Sequence, residues 1–160
     1  MSYWNYFSED AVLESVTSTE MNPMLEEILV AMQKAGSLSP AIIKRVRTAM
    51  ADKVAAGATG AIGHGVAVPH VKVPGVKATV AAFGRANHGV DFSAGDGAPV
   101  TLCFFVVGPE DAPAGHLSFL RWIAGLARDP DFPRFARQCK SRAELVDLLK
   151  EMGSKETGGA

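Results

Sequence analysis

The groups in this chain that could do chemistry crowd into one stretch, Gly60 to Lys72, which reads G-A-I-G-H-G-V-A-V-P-H-V-K. It holds three glycines, two histidines and a proline within thirteen residues. Glycine lets a backbone reach positive φ and approach a ligand closely. Proline cannot donate to a strand ladder, so Pro69 is expected to stop the apolar run Val66-Ala67-Val68. A histidine just past such a stop sits at a strand end, where α/β folds place their sites. A neutral imidazole nitrogen is a usable nucleophile near pH 7. His70 is therefore the first candidate reactive group.

Other chemistries find less support. The chain has no G-x-x-x-x-G-K-[ST] loop, no H-E-x-x-H or C-x-x-C spacing and no G-x-S-x-G elbow. Gly63-His64-Gly65 is only a fragment of a phosphate-binding pattern. His64, His70 and His116 could in principle bind zinc, but no cysteine or acid is paired with them and their spacing fits no finger. No metal and no cofactor are expected. His88 lies in the turn signal Asn87-His88-Gly89, and Cys103 in the apolar run Val100 to Val107 reads as a small core residue.

Elements must position these groups. Asn22 is a plausible N-cap with Pro23 at the first helical position, and Met24, Leu25, Ile28, Leu29 and Met32 recur at helical spacing up to Gly36. Ser39-Pro40 starts a second helix with Ile42, Ile43, Val46, Ala49 and Met50 on its apolar face. Short strands are expected at Ala61-Ile62 and Val66–Val68, then at Lys77–Gly84, with a short extended piece at Val90–Phe92. Pro99–Val107 is a continuous apolar run, as in a central strand covered on both faces. After Gly108-Pro109 an acidic, Pro-rich loop leads to His116, which opens a helix carrying Leu117, Leu120, Ile123 and Leu126. Pro130 and Pro133 interrupt it, a short helix runs from Phe132 to Cys139, and Ser141 with Glu144 forms a capping box before the last helix. Phe119 and Trp122 suit either the core or a docking surface. The pattern implies an α/β fold: one layered domain, a mixed β-sheet flanked by helices on both faces. The domain is expected over residues 1–152, with 153–160 a flexible C-terminal tail.

Composition agrees with one ordinary globular domain of 160 residues, 48% apolar and 21% charged. Sixteen Lys and Arg against seventeen Asp and Glu leave a net charge of −1, which gives no reason to expect a nucleic acid partner. The N-terminus has no basic, apolar leader pattern, and no run is long enough to span a bilayer, so a cytoplasmic protein without membrane insertion is expected.

Taken in order, these features resemble enzyme IIA of the fructose/mannitol class of the sugar phosphotransferase system, a class that includes the nitrogen-related regulatory enzyme IIA. The resemblance rests on the Gly-rich strand ending in Pro69-His70 and on the block V-D-F-S-A-G-D-G-A-P-V-T-L-C-F-F-V-V-G-P from Val90 to Pro109. It rests also on His116-Leu117 opening a helix, the preceding helical hairpin and the ending S-R-A-E-L-V-D-L-L-K. It implies a phosphotransferase in which His70 is phosphorylated and His116 is the second active-site histidine. It further implies support for the phosphoryl oxygens from Gly63, His64, Gly65, Val66 and Lys53. The implied donor is the phosphocarrier HPr, and the acceptor an enzyme IIB domain or a regulatory target. The chain departs from the family at Val71, Lys53, His64 and Gly115, where Gly, Arg, Asn and an acidic residue are common. Those departures motivate an alternative, a regulatory protein-binding module that keeps the fold without transferring the group.

Overall fold

The computed structural model describes residues 2–111 and 114–154. Its centre is β6 (Val100–Pro109), whose residues alternate between two cores. Leu102, Phe104 and Val106 face one side; Cys103, Phe105 and Val107 face the other. That alternation is the period of two that any strand imposes, and the strand is apolar from Leu102 to Val107 because both faces are covered there.

Around β6 stand β1 (Val12–Leu13), β2 (Ala61–Gly63), β3 (Val66–Ala67), β4 (His70–Val73) and β5 (Val80–Val90). The order is β1-β5-β6-β3-β2, with β4 also on β6. β5 and β2 run antiparallel to their neighbours β6 and β3, while β1–β5, β3–β6 and β4–β6 are parallel, so the sheet is mixed. Helices α1 (Met21–Lys34) and α2 (Pro40–Ala55) cover one face through Met24, Ile28, Met32, Ile43, Val46 and Met50. Helices α3 (Ala114–Arg128), α4 (Phe132–Gln138) and α5 (Arg142–Gly153) cover the other through Phe119, Trp122, Ile123, Phe132 and Leu145. The expected architecture of one sheet between two helical layers is what the chain adopts. Both Phe119 and Trp122 are core residues, at 0% and 2% exposure. Burying a large apolar side chain contributes about 1.5–3 kcal/mol.

Local details differ from the expectations in instructive ways. Helix α1 begins at Met21 after Glu20, without a side-chain cap, so Asn22 is not the N-cap. Pro23 still costs no helical bond, because the first four N–H groups have no partner inside the helix. Ser39 does cap α2, accepting from the Ile42 N–H at 3.3 Å. Ser141 caps α5, but the Glu144 carboxylate turns back to the N–H of Lys140, one residue before the cap. Asn87-His88-Gly89 is not a turn: β5 continues through it to Val90, and the register against β6 shifts between Arg85 and Val90. A bulge takes up the extra residues that the turn signal seemed to demand. The N-terminal segment, where little pattern is legible, contributes β1 and an aromatic cluster in which Tyr3 and Tyr6 stack on Phe119. Gly153, placed in the tail by sequence, is buried at the end of α5. Residues 155–160 of that expected tail lie outside the described residues.

Candidate active site

His70 does not lie past the end of a strand; it opens one. Val66 is opposite Leu102, and His70 is opposite Val106. Both pairs are offset by 36 residues (102 − 66 and 106 − 70), so β3 and β4 are one strand in constant register, nicked at Val68-Pro69. Pro69 gives up its ladder donor, yet its carbonyl still accepts from Val106 N–H at 3.0 Å. The nick is thus narrow, and the histidine after it keeps a position fixed by β6.

The ring is oriented from its own chain. His70 Nδ1 lies 2.8 Å from the Val68 carbonyl. A carbonyl can only accept, so Nδ1 carries the proton and Nε2 keeps its lone pair. Val71 and Val73 are buried against α1 and α2, so alternation turns His70 and Lys72 to the opposite face, toward α3. Val71 has negative φ, unlike His64 and Ser93. The β-branched residue after the histidine is therefore an unstrained strand residue packed in the core.

His116 enters on that same face from the first turn of α3 and is 4% exposed. Its ring packs on Gly108, the register partner of Lys72, where a Cβ would come within 2.5 Å of the ring. Thr79 Oγ1 holds its Nδ1 at 2.9 Å. Among the described residues, neither His70 nor His116 has a hydrogen-bond partner on Nε2. Burial first, then the charges of His70 and Lys72, push the His116 pKa below the ordinary histidine value. The ring stays neutral near pH 7, able to give a hydrogen bond without carrying a charge into the core.

That shift has a consequence for stability. The unfolded chain takes up a proton at His116 near the ordinary histidine pKa, while the folded chain resists until lower pH. Stability should therefore fall as pH drops from the ordinary value toward the depressed one. Urea unfolding of wild type and His116→Asn from pH 7.5 down to pH 5 reads this, and the variant should lose less stability over that span. Equal losses would remove His116 as a source of the slope.

Lys53, in the last turn of α2, donates from Nζ to the His70 carbonyl at 2.6 Å. Burial, then the nearby Lys72 charge, lowers its pKa. It braces the backbone at His70.

The Gly63–Val66 segment is not brought to His70. His64 N–H is donated to Asp96 Oδ2 at 3.0 Å, the His64 carbonyl accepts from Arg137 at 3.0 Å, and the Gly65 carbonyl accepts from Thr101 N–H at 2.9 Å. Val66 is four residues before His70 on the shared register, about 13 Å at the rise of a strand. His64 has φ +59, a conformation that histidine, like asparagine, tolerates better than most residues. The glycine that does reach the site is Gly60. β2 runs back along β3, so the Gly60 carbonyl accepts from Val68 N–H at 2.7 Å, and a Cβ there would lie 2.5 Å from Pro69 N. Sequence reasoning passed over Gly60, Thr79, Gly108 and Lys72. Alternation from His70 could have found Lys72; nothing local marks Thr79 as the partner of a histidine 37 residues on. At Gly115 a Cβ would sit 3.0 Å from the Tyr6 hydroxyl, so the N-terminal segment borders the start of α3. Among the described residues no cluster of three or more His, Cys, Asp or Glu is placed to hold a metal, and no helix is long and apolar enough to cross a membrane.

His70 and His116 thus share one face of the sheet, close enough for the His70 charge to act on His116, and each is held at Nδ1. Residues 5–152 match the family described as phosphoenolpyruvate-dependent sugar phosphotransferase system, EIIA 2, and the chain belongs to that family. It is an enzyme IIA component, a phosphotransferase of the phosphohistidine-carrying kind.

Relatives within the family include proteins named for nitrogen regulation. The nitrogen regulatory protein of Bradyrhizobium diazoefficiens is 31% identical over 140 residues, 88% of this chain and 89% of that protein. The one from Pseudomonas aeruginosa is 43% identical over 96 residues, 60% of this chain and 62% of that one. The fructose-specific EIIABC component of Bacillus subtilis is 28% identical over 86% of this chain, which spans only 21% of that longer protein. Among solved structures, nitrogen regulatory protein IIA-Ntr from Neisseria meningitidis superposes with a TM-score of 0.79 at 27% identity, covering 91% of this chain and 97% of that one. The enzyme IIA mannitol–phosphorylated enzyme IIB mannitol complex from Escherichia coli shares the fold, with a TM-score of 0.68 at 16% identity over 89% of this chain and 97% of that one.

Proposed function

We propose that His70 is the phosphorylated residue, that Nε2 is the atom modified, and that the donor is an HPr-like phosphocarrier protein. The observation that carries this is the 2.8 Å bond from His70 Nδ1 to the Val68 carbonyl, which leaves the lone pair on Nε2. That pair attacks the phosphorus of the donor phosphohistidine. The donor N–P bond breaks as the new one forms, and the electron pair returns to the donor ring. Both ends are imidazoles, so the step costs little, and what the protein must supply is position and charge stabilisation. His116, neutral and held by Thr79, offers Nε2–H to the phosphoryl oxygens when Thr79 donates to its Nδ1. Lys53 keeps the His70 backbone in place. A cytoplasmic location suits such a donor.

The acceptor is an enzyme IIB partner, or the phosphoryl group is kept as a signal read by a regulatory target. Similarity over most of the chain to proteins named nitrogen regulatory protein favours the second use. The first is supported by the shared fold with a chain solved in complex with phosphorylated enzyme IIB. A module that never takes up the group would leave the Nε2 arrangement without purpose.

Long-range proton–nitrogen NMR of the phosphorylated protein tests the atom: the modified nitrogen should be Nε2 of His70, and modification at Nδ1 would overturn the tautomer argument. His116→Ala should still take up the group but pass it to a IIB partner about a hundredfold more slowly. Unchanged transfer by that variant would leave His116 a packing residue.

A further inference from the structure

A cleft of about 170 Å³ lies between the first half of α1 and the last half of α2, away from the loop that joins them. It reaches down to the sheet. Leu25 and Leu29 of α1, Met50 of α2 and Phe105 of β6 line it, and all four are buried. Glu26 and Arg47 line the same cleft and bridge the two helices. Arg47 Nη2 donates to Glu26 Oε1 at 2.7 Å, and Nε to Oε2 at 3.0 Å. The bonds from Arg47 hold the Glu26 carboxyl below the usual carboxylate range, so both groups are charged near pH 7. Both side chains are about half exposed, so a solute reaches them from water.

An apolar hollow of this size is large enough for a benzene-sized group, and water gains little by entering it. Its walls lack neighbours on the open side and forfeit the dispersion contacts that a close-packed interior makes. An apolar side chain restores those contacts. The charges at the wall decide what that side chain is attached to. A carboxylate alone takes Arg47 but sets itself against Glu26. An ammonium alone takes Glu26 but leaves Arg47 without a carboxylate. A molecule that carries both charges on one carbon enters the ion pair and leaves every charge with an opposite partner.

We propose that the α1–α2 cleft binds a free α-amino acid with an apolar side chain, of which leucine and phenylalanine are the probes. The ammonium meets Glu26, the carboxylate meets Arg47, and the side chain rests against Leu25, Leu29, Met50 and Phe105. A polar side chain of similar length, such as that of glutamine, loses water there without gaining a hydrogen-bond partner. The cleft is on the α1–α2 face of the sheet, whereas His70 is turned to the α3 face, so the proposal stands apart from the reading of His70.

The test titrates the isotope-labelled full chain at low salt with leucine, phenylalanine, glutamine, 4-methylpentanoate (leucine without its ammonium) and 3-methylbutylamine (leucine without its carboxylate), read by amide shifts. Leucine and phenylalanine should bind with a Kd of roughly 1 mM or below, moving the amides of Leu25, Met50 and Val54. The two singly charged analogues and glutamine should bind about tenfold more weakly or worse. Glu26→Gln should weaken leucine about tenfold, and Ala51→Leu, which places a larger side chain in the cleft wall, should abolish binding. Circular dichroism checks that both variants are folded, and the ligand series on wild type decides the matter if either is not. Leucine and 4-methylpentanoate binding equally well would show that the cleft reads the apolar group alone and would sink the zwitterion. Glutamine binding as well as leucine would remove the apolar side chain from the recognition. No shift at these amides with either leucine or phenylalanine would overturn the site.

Discussion

His70→Asn is expected to gain no phosphoryl group from phosphoenolpyruvate, enzyme I and HPr, while the wild-type chain gains one, read by intact mass. Asparagine is chosen because its side-chain amide can still donate to the Val68 carbonyl, which accepts from His70 Nδ1 at 2.8 Å. The variant therefore loses the nucleophile and keeps the local bond. Its unfolding midpoint should stay within a few degrees of wild type, since His70 is only half-buried at the sheet margin. The loss of labelling is complete rather than partial, because His116 is held at 4% exposure and cannot take the place of His70. A labelled His70→Asn protein would move the reactive atom elsewhere, with His116 and His64 the next to be replaced.

The second large effect concerns the backbone behind the histidine. Gly60 and Gly57 have nearly the same φ, +86 and +88, but a Cβ at Gly60 would lie 2.5 Å from Pro69 N and 2.7 Å from Pro69 Cα, whereas one at Gly57 meets nothing within 4 Å. Gly57→Ala bears only the left-handed strain, about 1 kcal/mol. Gly60→Ala adds a collision with main chain that no rotamer can relieve, so about 3 kcal/mol or more is expected in all. For a chain of this size that is a fall in midpoint of roughly 6–12 °C against about 2–4 °C for the control. Phosphoryl uptake should fall in Gly60→Ala alone, because Pro69 can make room only by carrying His70 with it. Equal midpoints for the two variants would show that the strand nick at Pro69 yields easily and does not position the histidine.

How legible was this in the sequence? The layers were, because the apolar run Leu102–Val107, bounded by Gly and Pro, fits a strand covered on both sides, and the helices before and after it supply the covers. The two histidines were singled out because punctuation surrounds them: a proline before His70, a loop and helix start before His116. What failed is what depends on partners distant in sequence. Asn87-His88-Gly89 has every local mark of a turn, yet pairing with β6 holds it in a bulged strand. Gly63-His64-Gly65 reads as a fragment of a phosphate-binding pattern, but the His64 N–H is donated to Asp96 and the His64 and Gly65 carbonyls accept from Arg137 and Thr101. Thr79, which orients His116, lies 37 residues away from it with no periodic signal to link them. Lys53 was named as a support for the phosphoryl group, and the contact the sequence could not supply is its bond to the backbone carbonyl of His70.

The constant offset of 36 residues across Pro69 bears on how such a protein can diversify. Because β6 sets the height of His70 directly, the length of the β2–β3 hairpin upstream does not. Residues can be gained or lost around His64 while His70 stays where it is. The hairpin can then change in length and surface while the register that holds His70 is kept.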